Sequence, residues 1–417
     1  MPFLYSFKNM SFLWVLSLLA CGGVSQKDGQ HQGKASDQTE FAENQELEIA
    51  AARISEYLPL LKNKKVGVVA NQTSLIYKNK ASQPLAATHL IDSLLSLDVE
   101  IERVFAPEHG FRGRADAGEA VADGRDIKSG LPVISLYGSN KKPTSAQLEG
   151  LDIILFDIQD VGVRFYTYIA TLQLVMEACA EENIPVLVLD RPNPNLLYVD
   201  GPTMEKAHKG FLGLTEIPLV YGMTIGEYAL MINGENWLEP GLKSDLRVIP
   251  LGHYSRNTRY VLPVRPSPNL PNAQAVNLYP SLGLFEGTNI NSGRGTEFQF
   301  QRFGAPFLDK EYFDFQYTPQ PNFGSKNPKH KGVVCYGRDL SKEEELDRIH
   351  LNWLIEAYEN CKDKELFFNT QNFTKHAGTE KLQQQIEAHL TEDEIRASWQ
   401  KDLESFKKVR AKYLIYE

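Results

Sequence analysis

The stretch "DIILFDIQDVGVRFYTY", residues 152–168, decides the fold class of this chain. It begins with an unbroken apolar run, Ile153–Phe156, in which no polar residue alternates. Such a run is typical of a strand that is buried on both faces of a parallel sheet. Polar side chains start where the run ends, with Asp157, Gln159 and Asp160. The stretch therefore predicts a buried strand that delivers acids to a loop.

The same pattern of an apolar run followed by polar residues recurs through residues 50–200. Further strands are predicted at 65–70, 101–106, 132–136 and 185–189, with helical spacing at 83–97 and 168–182. Because the strands alternate with helices, the sequence predicts an α/β fold with a parallel sheet covered on both faces. We place this N-terminal domain at residues 49–201.

Polar residues follow the end of each predicted strand. Ligands of parallel sheets bind in the crevice outside the carboxyl ends of the strands, so these side chains are the first candidates for a site. Loops alone account for asparagine and glycine, but less easily for acids and arginines at successive strand ends. The candidates are Asn71, Glu108, His109, Tyr137, Asp157, Asp160, Arg164 and Arg191.

The loop within "VFAPEHGFRG", residues 104–113, is the most crowded of these strand ends. It brings an acid, an imidazole and the guanidinium of Arg112 together, and Gly110 and Gly113 allow the backbone to turn sharply. A short loop of this kind, aimed at the crevice, favours Glu108 as a catalytic acid. The structural alternative is that Glu108 pairs with an arginine and only braces the crevice.

The first residues are typical of an export signal. The apolar run Phe12–Ala20 is too short to span a bilayer, and with the following cysteine it ends in Leu-Leu-Ala-Cys, which resembles a bacterial lipobox. This predicts removal of residues 1–20 and lipidation of Cys21. Residues 21–48 are polar and are expected to form a flexible tether. The sequence thus predicts a lipid-anchored protein of the cell envelope, periplasmic or at the outer membrane.

Composition and missing motifs exclude several classes of protein. The chain has 417 residues, a net charge of -9 and no long basic run, which argues against binding to nucleic acid. Dinucleotide, P-loop, nucleophile-elbow and zincin motifs are absent from the sequence, so no cofactor is expected. The nine scattered histidines disfavour a histidine-rich metal site. The cysteines at 179, 335 and 361 are expected to be buried core residues.

The texture of the sequence changes beyond Pro202, and residues 202–417 are predicted to form a second α/β domain. Strands at Leu246–Pro250 and Gly332–Tyr336 belong to this prediction. Residues 263–308 are rich in loop-forming residues, and long loops in compact domains are usually functional. The candidate substrate-binding residues of this stretch are Glu286, Asn289 and Arg294.

The available side chains suit the cleavage of a glycosidic bond. This reaction needs a carboxylic acid that protonates the leaving oxygen and a second group that supports the oxocarbenium-like centre. Arginines can clamp a substrate carboxylate with two parallel hydrogen bonds, and tyrosines can stack on a sugar. The residues considered for these substrate contacts are Arg112, Arg164, Arg191, Arg294, Tyr137 and Tyr166.

Motifs spread over residues 50–417 carry a family resemblance. They are FAPEHGFRG, LPVISLYG, DIILFDIQDVGVRFYTY, LDRPNPN, YGMTIGE, PSPNLP and FEGTNINSGRGTEFQFQRFGAPF. In this order they resemble the exo-β-N-acetylmuramidase family typified by NamZ. The resemblance implies a Rossmann-like domain joined to a C-terminal α/β domain, and release of N-acetylmuramic acid (MurNAc) from MurNAc-GlcNAc and other peptidoglycan fragments. It also implies that Glu108, in the Glu-His-Gly motif, is catalytic.

The second catalytic role stays open at this point. Asp157 or Asp160 can act as a nucleophile or activate water, His109 can position or polarise the site, and the acetamido group of the substrate can itself assist. One position departs from the family pattern, because Asn291 stands where many relatives have an acid before the serine.

Two rival functions fit parts of the sequence. A sugar-binding or muropeptide-binding lipoprotein without turnover accounts for the lipobox and two α/β domains, but it needs few carboxylates in the crevice. A metal-dependent hydrolase would use His109 with Asp157 and Asp160 as ligands. Activity that survives a chelator would exclude the second rival.

Overall fold

The computed structural model describes residues 46–77, 87–113 and 123–417. Cys21, the predicted signal segment and most of the predicted tether lie outside these ranges, so the predictions made for them stay predictions. Within the described ranges, no helix combines the length and the apolar character that crossing a membrane requires.

Twelve strands and ten α-helices occur in the described ranges. The strands are β1 (Val66–Ala70), β2 (Leu75–Tyr77), β3 (Ala87–His89), β4 (Ile101–Ala106), β5 (Gly124–Arg125), β6 (Pro132–Ser135), β7 (Ile153–Asp157), β8 (Val186–Leu189), β9 (Leu246–Ile249), β10 (Arg302–Ala305), β11 (Phe315–Tyr317) and β12 (Cys335–Asp339). The helices are α1 (Ile54–Leu61), α2 (Leu90–Leu95), α3 (Ser145–Leu148), α4 (Tyr168–Glu181), α5 (Ile225–Gly234), α6 (Ala273–Leu282), α7 (Asn352–Glu359), α8 (Thr370–Ala377), α9 (Lys381–Glu387) and α10 (Glu392–Arg410). Short 3-10 helices lie at Ala50–Ala52, Lys206–His208, Gly283–Gly287 and Lys364–Leu366.

A seven-stranded sheet, in the order β5-β6-β4-β1-β7-β8-β9, forms the centre of the N-terminal part. Neighbouring strands from β6 to β9 are parallel, and β5 is antiparallel to β6. The six parallel strands follow the order 3-2-1-4-5-6 of doubly wound Rossmann folds. The predicted α/β class with a parallel, Rossmann-like sheet is confirmed.

The chain order reverses between the two central strands, β1 and β7. Strands β4 and β6 extend the sheet on one side, and β8 and β9 extend it on the other. Pairing runs in register from Val66 opposite Ile153 to Ala70 opposite Asp157. Crevices at such switch points, outside the carboxyl ends of the strands, are where ligands of doubly wound sheets bind.

Both faces of the sheet are buried, which explains the unbroken apolar run that predicted it. Along β7, Ile154 and Phe156 belong to one core cluster, which also includes residues of α4 and of the C-terminal helices. Ile153 and Leu155 point to the other face and join residues of α1 and α2. A strand with partners on both faces gains burial from every side chain, so no polar alternation is retained.

The sheet continues beyond residue 201, where the sequence analysis placed the end of the first domain. Strand β9 pairs in parallel with β8 from Val186 opposite Leu246 to Leu189 opposite Ile249. The strand that was assigned to a second domain is therefore the edge strand of the first sheet. The short apolar run of β9 indicates a strand, but it does not indicate which sheet the strand joins.

The C-terminal part adds a small antiparallel sheet, β10-β12-β11, and a group of helices. On α10, Ile395, Trp399, Leu403 and Phe406 recur at helical spacing and belong to the same core cluster as α4. The two parts of the chain therefore share one apolar core. The cysteines at 179, 335 and 361 are buried and free, as predicted.

Candidate active site

The loop after β4 carries Glu108 through a tight turn into the crevice. His109 and Gly110 both adopt the left-handed backbone region, with φ of 70° and 74°, and Gly113 follows with φ of 65°. A Cβ atom on Gly113 would lie 2.4 Å from Cδ of Gln72. The left-handed backbone therefore favours glycine at this position, as the sequence predicted, and a larger residue would also displace the Gln72 side chain.

The carboxylate of Glu108 is oriented by groups from two other strand ends. Thr167 Oγ1, at the start of α4, donates a 2.8 Å hydrogen bond to Glu108 Oε2. The hydroxyl of Tyr137 also hydrogen-bonds to this carboxylate, and its pKa is raised by burial and by the negative charge of Glu108. Glu108 is half-buried, so a side chain that is held in place still faces the crevice.

A loop from the C-terminal half covers one side of the crevice. The carbonyl of Pro266 accepts hydrogen bonds from the hydroxyls of Tyr166, at 2.7 Å, and Tyr168, at 3.3 Å. It also accepts one from Nε2 of Gln72, at 3.0 Å. Tyr166 was predicted to contact a sugar, but its hydroxyl instead holds this loop over the ends of β1 and β7.

Asp157 and Arg191 form a buried ion pair. Arg191 donates from Nε to Oδ1 at 2.6 Å and from Nη2 to Oδ2 at 2.8 Å, and the two side chains are 2% and 0% exposed. Asp157 was a candidate nucleophile and Arg191 a candidate clamp for substrate. Because each satisfies the other away from solvent, this geometry assigns both of them to holding β7 and β8 together.

Arg164 has a structural position as well. Its two Nη atoms donate to four backbone carbonyls, those of Pro202, Ile217, His376 and Ala377, at 2.7–2.9 Å. The side chain is fully buried. This arginine therefore ties the N-terminal sheet to the start of the C-terminal half and to α8, and it does not face the crevice as predicted.

Asp160 is a buried carboxylate behind Glu108. Its Oδ2 accepts hydrogen bonds from the Gly162 amide, at 2.6 Å, and from the Tyr221 hydroxyl, while Oδ1 has no partner among the described residues. Burial raises the pKa of Asp160 to about 6, against the opposing effect of these hydrogen bonds. Burial raises the pKa of Tyr168, and the charges of Glu108 and Asp160 raise it further, so both carboxylates lie near this tyrosine.

A second charged cluster lies in the long loop of the C-terminal half. Glu286 Oε1 accepts hydrogen bonds from Ser292 Oγ at 2.8 Å and from Arg294 Nε at 3.1 Å. Burial pulls the pKa of Glu286 upward, but the charges of Arg294 and Lys329 outweigh it and lower this pKa to about 2. Glu286 is therefore an anion that anchors Arg294 rather than a proton donor.

Of the four candidate arginines, Arg294 has the fewest hydrogen bonds to the described part of the chain. Its described hydrogen bond uses Nε alone, and its guanidinium lies 5.1 Å from the centre of the Phe300 ring. Its pKa is lowered by burial and raised more strongly by Glu286, with a further contribution from Glu108. The loop that presents it is fixed by Asn291, which donates to the Arg294 carbonyl at 3.1 Å and accepts from the Gly293 amide.

The remaining predicted residues lie around this centre. Arg112 pairs with Asp126 through both carboxylate oxygens and lies over the Phe111 ring, so it braces the Glu108 loop. Asn71 is buried, and its Oδ1 accepts from the amide and hydroxyl of Thr73. Asn289 is exposed and donates to the Leu366 carbonyl.

Several residues of the site were missed from sequence. Thr167 and Tyr221 lie inside the quoted motifs but were not singled out, and Lys329 lies outside them. The roles of all three depend on partners far away in the chain. Lys329, for example, donates to four carbonyls of residues 285–290 and so shapes the loop that holds Glu286. Their positions inside quoted motifs could have pointed to Thr167 and Tyr221, whereas Lys329 had no such signal.

No group of three or more His, Cys, Asp or Glu side chains among the described residues is placed to hold a metal ion. The proposed ligand set of His109, Asp157 and Asp160 does not assemble, because both oxygens of Asp157 are bound to Arg191.

A doubly wound sheet with a positioned carboxylate at its strand ends, and an arginine presented by a second part of the chain, fit an α/β enzyme. Comparison with known families narrows this class. Residues 66–274 match the N-terminal model, and residues 277–416 the C-terminal model, of exo-beta-N-acetylmuramidase NamZ. The chain belongs to this family of glycoside hydrolases. The N-terminal match includes β9, in agreement with its place in the first sheet.

Individual relatives agree with the family match. The chain is 38% identical over 382 residues to the peptidoglycan beta-N-acetylmuramidase NamZ of Bacillus subtilis (strain 168), covering 87% of this chain and 89% of the relative. Two solved structures of DUF1343 family proteins from Bacteroides fragilis NCTC 9343 are similar. One is 41% identical with a TM-score of 0.80, the other 28% identical with a TM-score of 0.74, and each match covers 89% of this chain and 99% of the solved chain.

Proposed function

We propose that the protein is an exo-acting β-N-acetylmuramidase, which releases MurNAc from the non-reducing end of peptidoglycan fragments. Membership of the NamZ family supports the reaction class. The observation that carries the assignment of roles is the position of Glu108, half-buried at the end of β4 and held by Thr167 and Tyr137. Glu108 is the general acid that protonates the glycosidic oxygen as the bond to the sugar breaks.

Orientation is what the neighbours of Glu108 contribute. The hydrogen bond from Thr167 to Oε2 fixes the orientation of the carboxyl group in the crevice. A proton donor must lie within hydrogen-bond reach of the oxygen that it protonates, so fixing the side chain reduces the entropy lost on the way to the transition state.

Arg294 is the group that recognises the lactyl carboxylate of MurNAc. This carboxylate distinguishes MurNAc from GlcNAc, and a guanidinium binds it with charge-assisted hydrogen bonds. Of the four arginines first considered, Arg112 pairs with Asp126, and Arg164 and Arg191 are buried against carbonyls and Asp157. Arg294 uses only Nε. The charge of Glu108 contributes to the raised pKa of Arg294, which supports a position of both groups near one crevice.

The second catalytic group is either Asp160 or the acetamido group of the substrate. Asp157 is occupied by Arg191, whereas Asp160 keeps one oxygen without a described partner. Asp160 is buried, which disfavours its direct attack on the sugar. Attack by the acetamido group of the substrate, with Asp160 as a supporting group, is therefore the preferred alternative.

One assay tests this function. The protein without residues 1–47 is incubated with a chromogenic β-MurNAc glycoside and with its β-GlcNAc counterpart, with and without a chelator. We expect turnover of the first substrate, little turnover of the second and no effect of the chelator. Binding of MurNAc without turnover would favour the binding-lipoprotein alternative, and loss of activity on chelation would favour a metal-dependent hydrolase.

We further propose that the mature protein is a lipoprotein of the cell envelope, anchored through Cys21. The support is the Leu-Leu-Ala-Cys sequence directly after a short apolar run. Mass spectrometry of the membrane fraction is expected to find a lipidated N-terminal Cys21. Unmodified protein that begins elsewhere and remains wholly in the soluble fraction would contradict the anchor.

A further inference from the structure

A cavity of about 740 Å³ lies next to the Glu108 site and is not accounted for by the cleavage of the glycosidic bond. It is lined by Lys141, by the loop at residues 207–213 and by the outward side of α8, including Thr374 and Lys375. This volume is within the range of cavities that bind small ligands.

Two aromatic rings connect the cavity to the catalytic carboxylate. The ring of Phe211, in the wall of the cavity, lies 6.1 Å from the ring of Tyr137. The hydroxyl of Tyr137 hydrogen-bonds to Glu108. Tyr137 therefore lies between Glu108 and the wall of the cavity, and it contacts both.

The cavity wall is cationic and aromatic. Lys141 Nζ lies 4.8 Å from the centre of the half-buried Phe211 ring. Neither Lys141 nor Lys375 has an ion pair with any described residue, whereas Lys209 is paired with Glu216. Glu380 is the one acidic residue of the lining. An aromatic ring with the ammonium group of Lys141 near it, and a second lysine, Lys375, in the same lining, suits a ligand that combines a flat sugar or peptide face with carboxylates.

We propose that this cavity binds the anionic stem peptide carried by the leaving group, on the far side of the scissile bond from the released MurNAc. The proposal rests on the function proposed above. The lactyl carboxylate of the released sugar is served by Arg294, which belongs to the Glu286 cluster and not to the cavity. The cavity cations are thus left for the rest of the fragment, and peptidoglycan peptides carry free carboxylates. The enzyme would then prefer peptide-bearing fragments to bare saccharides.

The test compares two substrates with the same terminal MurNAc. One has a neutral GlcNAc leaving group, and the other has a longer leaving group that bears an acidic peptide. The measured quantity is the ratio of kcat/KM for the peptide-bearing substrate to that for the neutral one. The test variant is Lys141→Gln with Lys375→Gln. The control is Lys142→Gln with Lys381→Gln, which removes the same net charge from lysines that pair with Glu181 and Glu205 outside the cavity.

We expect the ratio to fall about tenfold in the Lys141/Lys375 variant, as for the loss of charge-assisted hydrogen bonds, and to stay at the wild-type value in the control. Amidation of the peptide carboxylates should lower the wild-type ratio in the same way, and raising the salt concentration should reduce it. An unchanged ratio in the test variant, or an equal fall in the control, would overturn the proposal. Failure of the wild type to cleave either substrate would instead overturn the proposed function.

Discussion

Thr167 Oγ1 donates a 2.8 Å hydrogen bond to Glu108 Oε2, and this contact joins the ends of two strands that are not neighbours. Glu108 follows β4 and Thr167 follows β7, and these two strands flank β1 on either side. The bond thus crosses the central strand at the switch point of the sheet. It shows how a doubly wound fold fixes a carboxylate over its own crevice.

Replacement of Thr167 by valine, which has nearly the same shape, should reduce kcat about fivefold and leave KM almost unchanged, because Glu108 loses a net hydrogen bond of about 1 kcal/mol. Thr167→Ser keeps the hydroxyl and should recover most of the activity. The measurement is steady-state kinetics on MurNAc-GlcNAc. A fall in thermal stability without the split between kcat and KM would show that Thr167 only supports the fold.

Arg294→Lys should weaken the preference for MurNAc over GlcNAc by about one to two decades, since lysine cannot form the bidentate pair with the lactyl carboxylate. The lysine keeps a positive charge beside Glu286, so the loop should stay folded. The specificity ratio is measured with paired chromogenic glycosides. Arg112→Lys is the control, because Arg112 pairs with Asp126 at the edge of the crevice. A wild-type ratio in Arg294→Lys would exclude this recognition.

Loss of one partner from the Asp157–Arg191 pair should destabilise the protein strongly. Arg191→Met leaves a buried carboxylate without a counter-ion, and we expect the free energy of unfolding to fall by about 3–5 kcal/mol. The double variant Asp157→Leu with Arg191→Met removes both charges and should recover a large part of this loss. Urea unfolding of four proteins, the wild type, the single variants Arg191→Met and Asp157→Leu and the double variant, gives the coupling. A double variant as unstable as the sum of the singles would contradict a direct pair.

The raised pKa of Asp160 predicts a loss of stability as the pH rises. Burial raises this pKa from 3.8 to about 6, so the folded state holds its proton between these values after the unfolded chain has released it. Below about pH 4 the carboxyl group of Asp160 is protonated in both states, and its contribution to stability is fully present. As the pH rises to about 6, the free energy of unfolding falls by roughly 1–3 kcal/mol. Asp160→Asn, which cannot titrate, should flatten this part of the stability profile. An identical slope in wild type and variant would contradict the assignment.

Much of the fold could be predicted because burial on both faces leaves a strong local signal. The apolar run in residues 152–168 identifies β7 and the parallel sheet without knowledge of its partners. The position of β9 could not be predicted, because pairing with β8 depends on a helical crossover and not on the residues of the strand. The domain boundary at residue 201 was misplaced for this reason.

The location of the site could be predicted, because polar residues mark the strand ends. The partners of its charged side chains could not be predicted. The sequence places Asp157, Arg191 and Arg164 at strand ends, but burial and partner choice are set by distant segments. Arg164, for instance, bonds to the carbonyls of His376 and Ala377, more than half the chain away. Four arginines looked equivalent in sequence, and only the folded chain separates Arg294 from the others.

The central claim is that Glu108 protonates the leaving oxygen, and Glu108→Gln tests it most directly. The amide has nearly the same shape but no acidic proton, so the variant should fold normally and lose about 10²–10⁴ in kcat on MurNAc-GlcNAc. The loss should be much smaller on an aryl β-MurNAc glycoside, whose leaving group needs no proton. A folded variant that keeps wild-type activity on both substrates, or that loses the same factor on both, would contradict the role assigned to Glu108.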